Sequence, residues 1–85
     1  MGVNLVTIPA ELEGKLESTS EVLSGAVRFV GTRVLVQSLL DTIFCGESVD
    51  YFLADYPEVT REQAMAVIAW EQNQVRESLG LDKAI

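Results

Sequence analysis

Two β-branched runs on either side of a glycine set the first limit on what this chain can fold into. Val27-Arg28-Phe29-Val30 and Arg33-Val34-Leu35-Val36 flank Gly31-Thr32. Strand-forming residues around a two-residue break predict a β-hairpin. Glycine at the first loop position predicts a type II′ turn, because that position needs a positive φ. In the implied register Val30 faces Arg33, Phe29 faces Val34, Arg28 faces Leu35 and Val27 faces Val36. Side chains alternate between the faces of a strand. One face therefore carries Val27, Phe29, Val34 and Val36 and is expected to meet a core. The other carries Arg28, Val30, Arg33 and Leu35.

Helical periodicity takes over next. Val36, Leu39, Leu40, Ile43 and Phe44 fall on one apolar stripe, and Gly46 sits where a left-handed residue would end that helix. Ser48 can cap a second helix bearing Val49, Phe52, Leu53 and Tyr56, which Pro57 closes by disfavouring helical geometry at Tyr56. Thr60-Arg61-Glu62-Gln63 is a capping-box pattern, and the helix it starts should run to about Leu79, ahead of Gly80. The expected fold class is α+β, a β-hairpin packed on a three-helix, helix-turn-helix-like bundle. Residues 3–8 read as a short strand stopped by Pro9, and residues 10–24 as irregular structure or a second short strand. Residues 1–18 are thus read as an N-terminal extension, 19–80 as the hairpin plus tri-helical domain, and 81–85 as a tail.

Composition narrows the function classes. A chain of 85 residues that is 48% apolar is no disordered segment, yet it can bury only a thin core. Residues 64–70 are apolar on every side of their helix, which predicts cover from a second chain and hence a homodimer. No apolar run reaches the ~20 residues of a membrane span. Met1-Gly2 lacks the Ser or Thr that myristoylation needs at position 6, which is Val6. No basic residue precedes the first apolar stretch, as it would in a secretory signal. Cys45 stands alone and cannot form an internal disulfide. A cytoplasmic location with no membrane partner is the expectation. Thirteen acids against six bases, a net charge of −7, handicap DNA binding by the free chain and suit a basic protein partner. The absence of histidine removes Ser-His and Cys-His nucleophile activation, and no Cys/His cluster offers zinc ligands. Glu58 with Glu62 and Asp50 with Asp55 read as solvated faces. No enzyme activity, metal or cofactor is expected.

Three motifs in order carry a family resemblance. They are the stretch from Gly25 through Gly31-Thr32-Arg33 to Val36, then Cys45-Gly46-Glu47-Ser48-Val49, then Asp55-Tyr56-Pro57-Glu58-Val59-Thr60. Together they resemble the bacterial family known as domain of unknown function 433. Its pattern is a Gly-Thr-Arg turn followed by Ile/Val-x-Val, a Gly-x-Ser helix start, and a Tyr-Pro-x-Leu-Thr turn before an Ala-rich helix. Glu21-Val22-Leu23 with Gly25 matches the family's usual lead-in. The resemblance covers about residues 19–79. Departures are Val30, where the family is often basic, and Leu35 and Val27, where it often has proline. The resemblance implies a homeodomain-type three-helix fold behind a hairpin. It also implies an antitoxin-like role, in which members bind a nuclease-like toxin and repress their operon as dimers.

These readings nominate two residue sets. Arg28, Arg33, Arg61 and Gln63 are the candidate DNA contacts, since arginine can read guanine and glutamine adenine; Asn73 and Gln74 lie further along the same helix. Val30, Leu35, Met65, Ala66 and Trp70 are the candidate interface. Arg33 is expected to pair with an acid and anchor the turn, while Arg28 is open between partner contact and internal pairing. Phe29, Phe44, Tyr51, Phe52, Tyr56 and Trp70 are expected in the core or a dimer interface, and Cys45 as a buried apolar residue. The leading expectation is a non-catalytic, antitoxin-like protein-interaction module that binds a basic, toxin-like protein and self-associates. The alternatives are a DNA-binding transcriptional regulator and a structural subunit.

Overall fold

Strand β2, Arg28–Phe29, is the centre of a minimal sheet. In the computed structural model, which describes residues 7–19 and 25–81, it pairs on one edge with strand β1, Leu16–Glu17. The pairing is antiparallel, with Leu16 opposite Phe29 and Glu17 opposite Arg28. On its other edge β2 meets the chain beyond the turn through an antiparallel bridge between Arg28 and Leu35. The Phe29 amide donates to the Val34 carbonyl at 3.0 Å and the Val36 amide to the Val27 carbonyl at 3.1 Å. That is the register expected from the two flanking runs.

The turn itself differs. The Thr32 amide donates to the Phe29 carbonyl at 3.0 Å, so the turn spans residues 29–32 and Gly31, at φ 81°, takes its third position. That is where a type II turn requires positive φ, whereas type II′ would place glycine second. Three hydrogen bonds explain the shift. The Val30 amide is drawn away to the Lys15 carbonyl at 2.9 Å. The Thr32 hydroxyl donates to the Phe29 carbonyl at 2.9 Å and accepts from the Val34 amide at 3.0 Å, closing the loop with a side chain.

Three helices follow: α1, Val36–Phe44; α2, Val49–Asp55; and α3, Arg61–Leu79. Each boundary has a chemical cause. At the end of α1 the Gly46 amide donates to the Ile43 carbonyl and the Glu47 amide to the Thr42 carbonyl, with Gly46 at φ 95°. This is the paired 5→2 and 6→1 bonding of a Schellman motif. The Ser48 hydroxyl caps α2 by accepting from the Tyr51 amide at 3.1 Å. The capping box of α3 is complete: the Gln63 amide donates to the Thr60 hydroxyl at 3.0 Å, and the Thr60 amide to Gln63 Oε1 at 2.9 Å. Gly80 ends α3 in the left-handed region. The α+β fold with three helices therefore stands as read.

The core gathers Leu12, Leu16, Phe29, Val34, Leu39, Phe52, Val59, Ala64 and Val67. Phe29 and Phe52 are fully buried with ring centroids 6.0 Å apart, and Tyr56 stacks at 5.0 Å from Phe52. Val27 and Val36 pack against this cluster, as expected of the apolar hairpin face. Leu12, in a 3-10 turn over Ala10–Leu12, and Leu16 join the same core from the segment read as an extension. The expected strand at 3–8 falls largely outside the described residues; Thr7 and Ile8 are described and lie in no strand. The lead-in at 21–23 also lies outside the described residues.

The polar hairpin face brings a correction. Arg28 is only 8% exposed, and its Nη2 lies 3.0 Å from Glu17 Oε2, across the β1–β2 ladder. Its Nη1 donates to Thr19 at 3.4 Å. Arg33, expected to be the paired anchor, is exposed and makes no ion pair among the described residues. Adding β1 to the sheet covers residue 28, while residue 33 sits at the turn, beyond the reach of β1. Removing one member of a buried pair strands the other. Glu17→Ala is expected to lower unfolding stability by about 2–3 kcal/mol, less than for a fully enclosed pair because Glu17 keeps a third of its side chain in water. Arg28→Met, which removes the buried charge itself, should cost less. Urea titration of both variants checks the order.

Candidate functional site

Of the four candidate DNA contacts, Arg28 and Arg33 line one polar cleft, and Arg61 and Gln63 do not. Arg28 is enclosed with Glu17 behind the turn. Arg61, at the start of α3, is engaged by Asp50 of α2 in an exposed ion pair. Gln63 spends both ends of its amide internally, Oε1 on the capping box and Nε2 on the Val30 carbonyl at 3.1 Å. Arg33 faces solvent at the mouth of a polar cleft of about 450 Å³ that Glu17 and Glu58 also line. Each cation in this region thus has a carboxylate in or near it, which offsets the positive potential that phosphate would seek. Asn73 and Gln74 are exposed on the far half of α3.

The candidate interface residues split as well. Met65 is exposed, while Val30, Leu35, Ala66 and Trp70 are half-buried. Within the segment apolar on every side, Ala64 and Val67 are buried by this chain's own core, and Met65 and Ala69 face outward. The need for outside cover thus shrinks from the whole circumference to one strip. Trp70 lines an apolar hollow of about 450 Å³ with Ile8, Leu12, Val36, Leu40 and Val67.

One further expectation is corrected: Cys45, expected to be buried, is an exposed thiol. Phe44, expected in the core or a dimer interface, is 92% exposed and so lies outside this chain's core. The reason for Phe44 lies in the width of its stripe. At about 100° per residue, Leu39 to Phe44 spans about 140° of the helix. Exposure rises across that arc, from Leu39 fully buried, through half-buried Ile43 and Val36 and partly exposed Leu40, to Phe44. One neighbouring face cannot cover so broad a stripe. Cys45 is the C-cap residue, where the chain leaves the helix for the Gly46 turn in solvent. Tyr51 is likewise exposed, while Phe29 and Phe52 lie in the core as expected.

These exposures outline a surface that residue-by-residue reading missed. Leu40 and Phe44 on α1, Val75 and Leu79 on α3, and Leu81 beyond it are large apolar groups in water. From Glu71 to Leu79 every residue of α3 is exposed, a length of helix of about 13 Å at ~1.5 Å per residue. One depression of about 360 Å³ lies between α1 and α3, lined by Leu40, Ile43, Phe44 and Glu71. A second, of about 380 Å³, continues along α3 with Glu71, Val75, Arg76 and Leu81. Glu71 borders the Trp70 hollow too, so this one residue lines all three depressions. The two exposed stripes could have signalled this track, one too wide for a single partner face and one running past the end of the core.

No group of three or more His, Cys, Asp or Glu side chains among the described residues is arranged to hold a metal ion. No helix among them is long and apolar enough to cross a membrane.

A family model described as protein of unknown function (DUF433) matches residues 16–70, well over half of the chain, and the chain belongs to that family. The match begins with β1 and ends at Trp70, where the exposed half of α3 starts. No curated protein and no solved structure matches the chain.

An exposed side chain contributes little to folding, and this separates surface from core by experiment. Phe44→Ser is expected to change stability by no more than about 0.5 kcal/mol. Phe52→Ala, at the centre of the aromatic cluster, should cost about 3–5 kcal/mol. Equal losses in urea titrations of the dilute chain would mean that Phe44 is packed in solution.

Proposed function

We propose that this member of the DUF433 family is a non-catalytic, antitoxin-like protein-interaction module of the bacterial cytoplasm, which self-associates and binds a basic, toxin-like partner protein. One observation carries the reading: a row of large apolar side chains, led by Phe44, stands in water on a chain of net charge −7. Exposed apolar patches rimmed by polar groups mark interaction sites on soluble proteins. The acids around this one favour partners of opposite sign and speed their encounter. Self-association draws on the remaining uncovered strip, Met65 and Ala69 with the half-buried Trp70.

DNA binding by the free chain is the weaker reading on charge. Contact through Arg28 would have to break its pair with Glu17, and contact through Gln63 would uncap α3. Arg33 remains the one candidate facing solvent without an ion pair among the described residues. A regulator acting through DNA would therefore gain its positive field from a bound basic partner.

Affinity capture of the tagged chain from its host's lysate tests both readings together. A stoichiometric basic protein, retained as salt is raised and with little nucleic acid, is the expected outcome. Nucleic acid retained without a protein partner and lost steeply with salt would make the regulator reading the better one.

A further inference from the structure

The track centred on Glu71 has a definite chemistry. Its floor is apolar, from Leu40, Ile43 and Phe44 at the end of α1 to Val75 on α3 and Leu81 beyond it. Its borders carry two carboxylates: Asp41 lines the first depression and Glu71 lines both. Arg76 is the one basic side chain lining it. The carboxyl end of α1 adds partial negative charge beside Phe44.

We infer that this track is the docking groove for an amphipathic helix of a partner protein whose apolar anchors are bordered by lysine or arginine. This rests on the partner-binding reading above and names the surface and the chemistry it accepts. A helix laid in a groove presents anchors at i, i+3, i+4 and i+7, and the apolar linings of the two depressions that share Glu71 offer such anchors contacts. A lysine or arginine on the incoming helix meets Glu71, and one of its apolar side chains packs against the Phe44 ring. Charge selects this occupant over a second copy, which would set the same borders against themselves on two chains of −7 each.

The probes are two synthetic amphipathic peptides with identical leucine faces, one bordered by lysine and one by glutamate, titrated into the full chain. The lysine peptide is expected to bind about ten-fold or more tighter at near-physiological salt. Phe44→Ser should weaken it about ten-fold or more, as loss of a central aromatic anchor does. Glu71→Lys should erase or reverse the preference between the peptides. Both positions are exposed, so the variants keep the fold. Alkylation of Cys45, the sole thiol and the neighbour of Phe44, should slow when the lysine peptide is bound, a readout of position that needs no mutation. Unchanged preference in both variants, or an unchanged alkylation rate, overturns the assignment. So does a dimer of the free chain that Phe44→Ser dissociates, since a second copy would then own the face. A partner protein that either variant still captures from lysate would also overturn it, while leaving the general partner-binding reading intact.

Discussion

Burial of the Arg28 guanidinium dictates much of the structure around it. A charge withdrawn from water must be matched by a carboxylate and by hydrogen bonds, or the site is unstable. Glu17 and Thr19 supply that match, and the Glu17 carboxylate also accepts from the Gly31 amide at 3.2 Å. For Glu17 to stand opposite Arg28, β1 must pair with β2 in one register. That register sets Leu16 opposite Phe29 and leads the chain in from Leu12, so two leucines enter the core on the strength of one ion pair. A one-residue slip would turn Leu16 outward and leave the guanidinium without its acid.

From this sheet the helices inherit their positions. Gln63 is the joint: its amide closes the capping box of α3 and reaches the Val30 carbonyl in the turn, so the start of α3 is held against the hairpin. Phe52 of α2 fills the space beside Phe29, and the 3-10 turn bearing Leu12 packs against α3. The result orients α3 so that its first half is embedded and its second half leaves the body. The exposed track on Leu40, Phe44 and Val75 follows from that orientation, since the core is fully used by one side of α1 and the first turns of α3.

Helix ends were legible in the sequence because capping is local chemistry. Thr60 with Gln63, Ser48, Gly46 and Gly80 each act within a few residues, and each sets the boundary that its type implies. The hairpin register was legible for the same reason, through alternation of Val27, Phe29, Val34 and Val36. The exchange of roles between Arg28 and Arg33 was not, because it depends on β1, a strand of two residues with no periodicity to read. Nor was the exposure of Phe44. Periodicity marks which residues share a stripe, but the width of stripe a neighbour can cover is a property of tertiary packing. Surplus apolar surface was legible in kind but not in all its places: besides Met65 in the first half of α3, it stands at the end of α1 and on the free half of α3.

The unsupported half of α3 also changes how the molecule moves through water. Its principal extents are 47 × 31 × 21 Å, and its radius of gyration of 14.0 Å exceeds the roughly 12 Å of a compact chain of this length. A 9.3 kDa body carrying such a spar experiences more friction than its mass implies. On a sizing column a single copy therefore elutes early, toward the position of a more compact, heavier species. Association of this protein is accordingly a question for light scattering or sedimentation equilibrium, which weigh the particle irrespective of its shape.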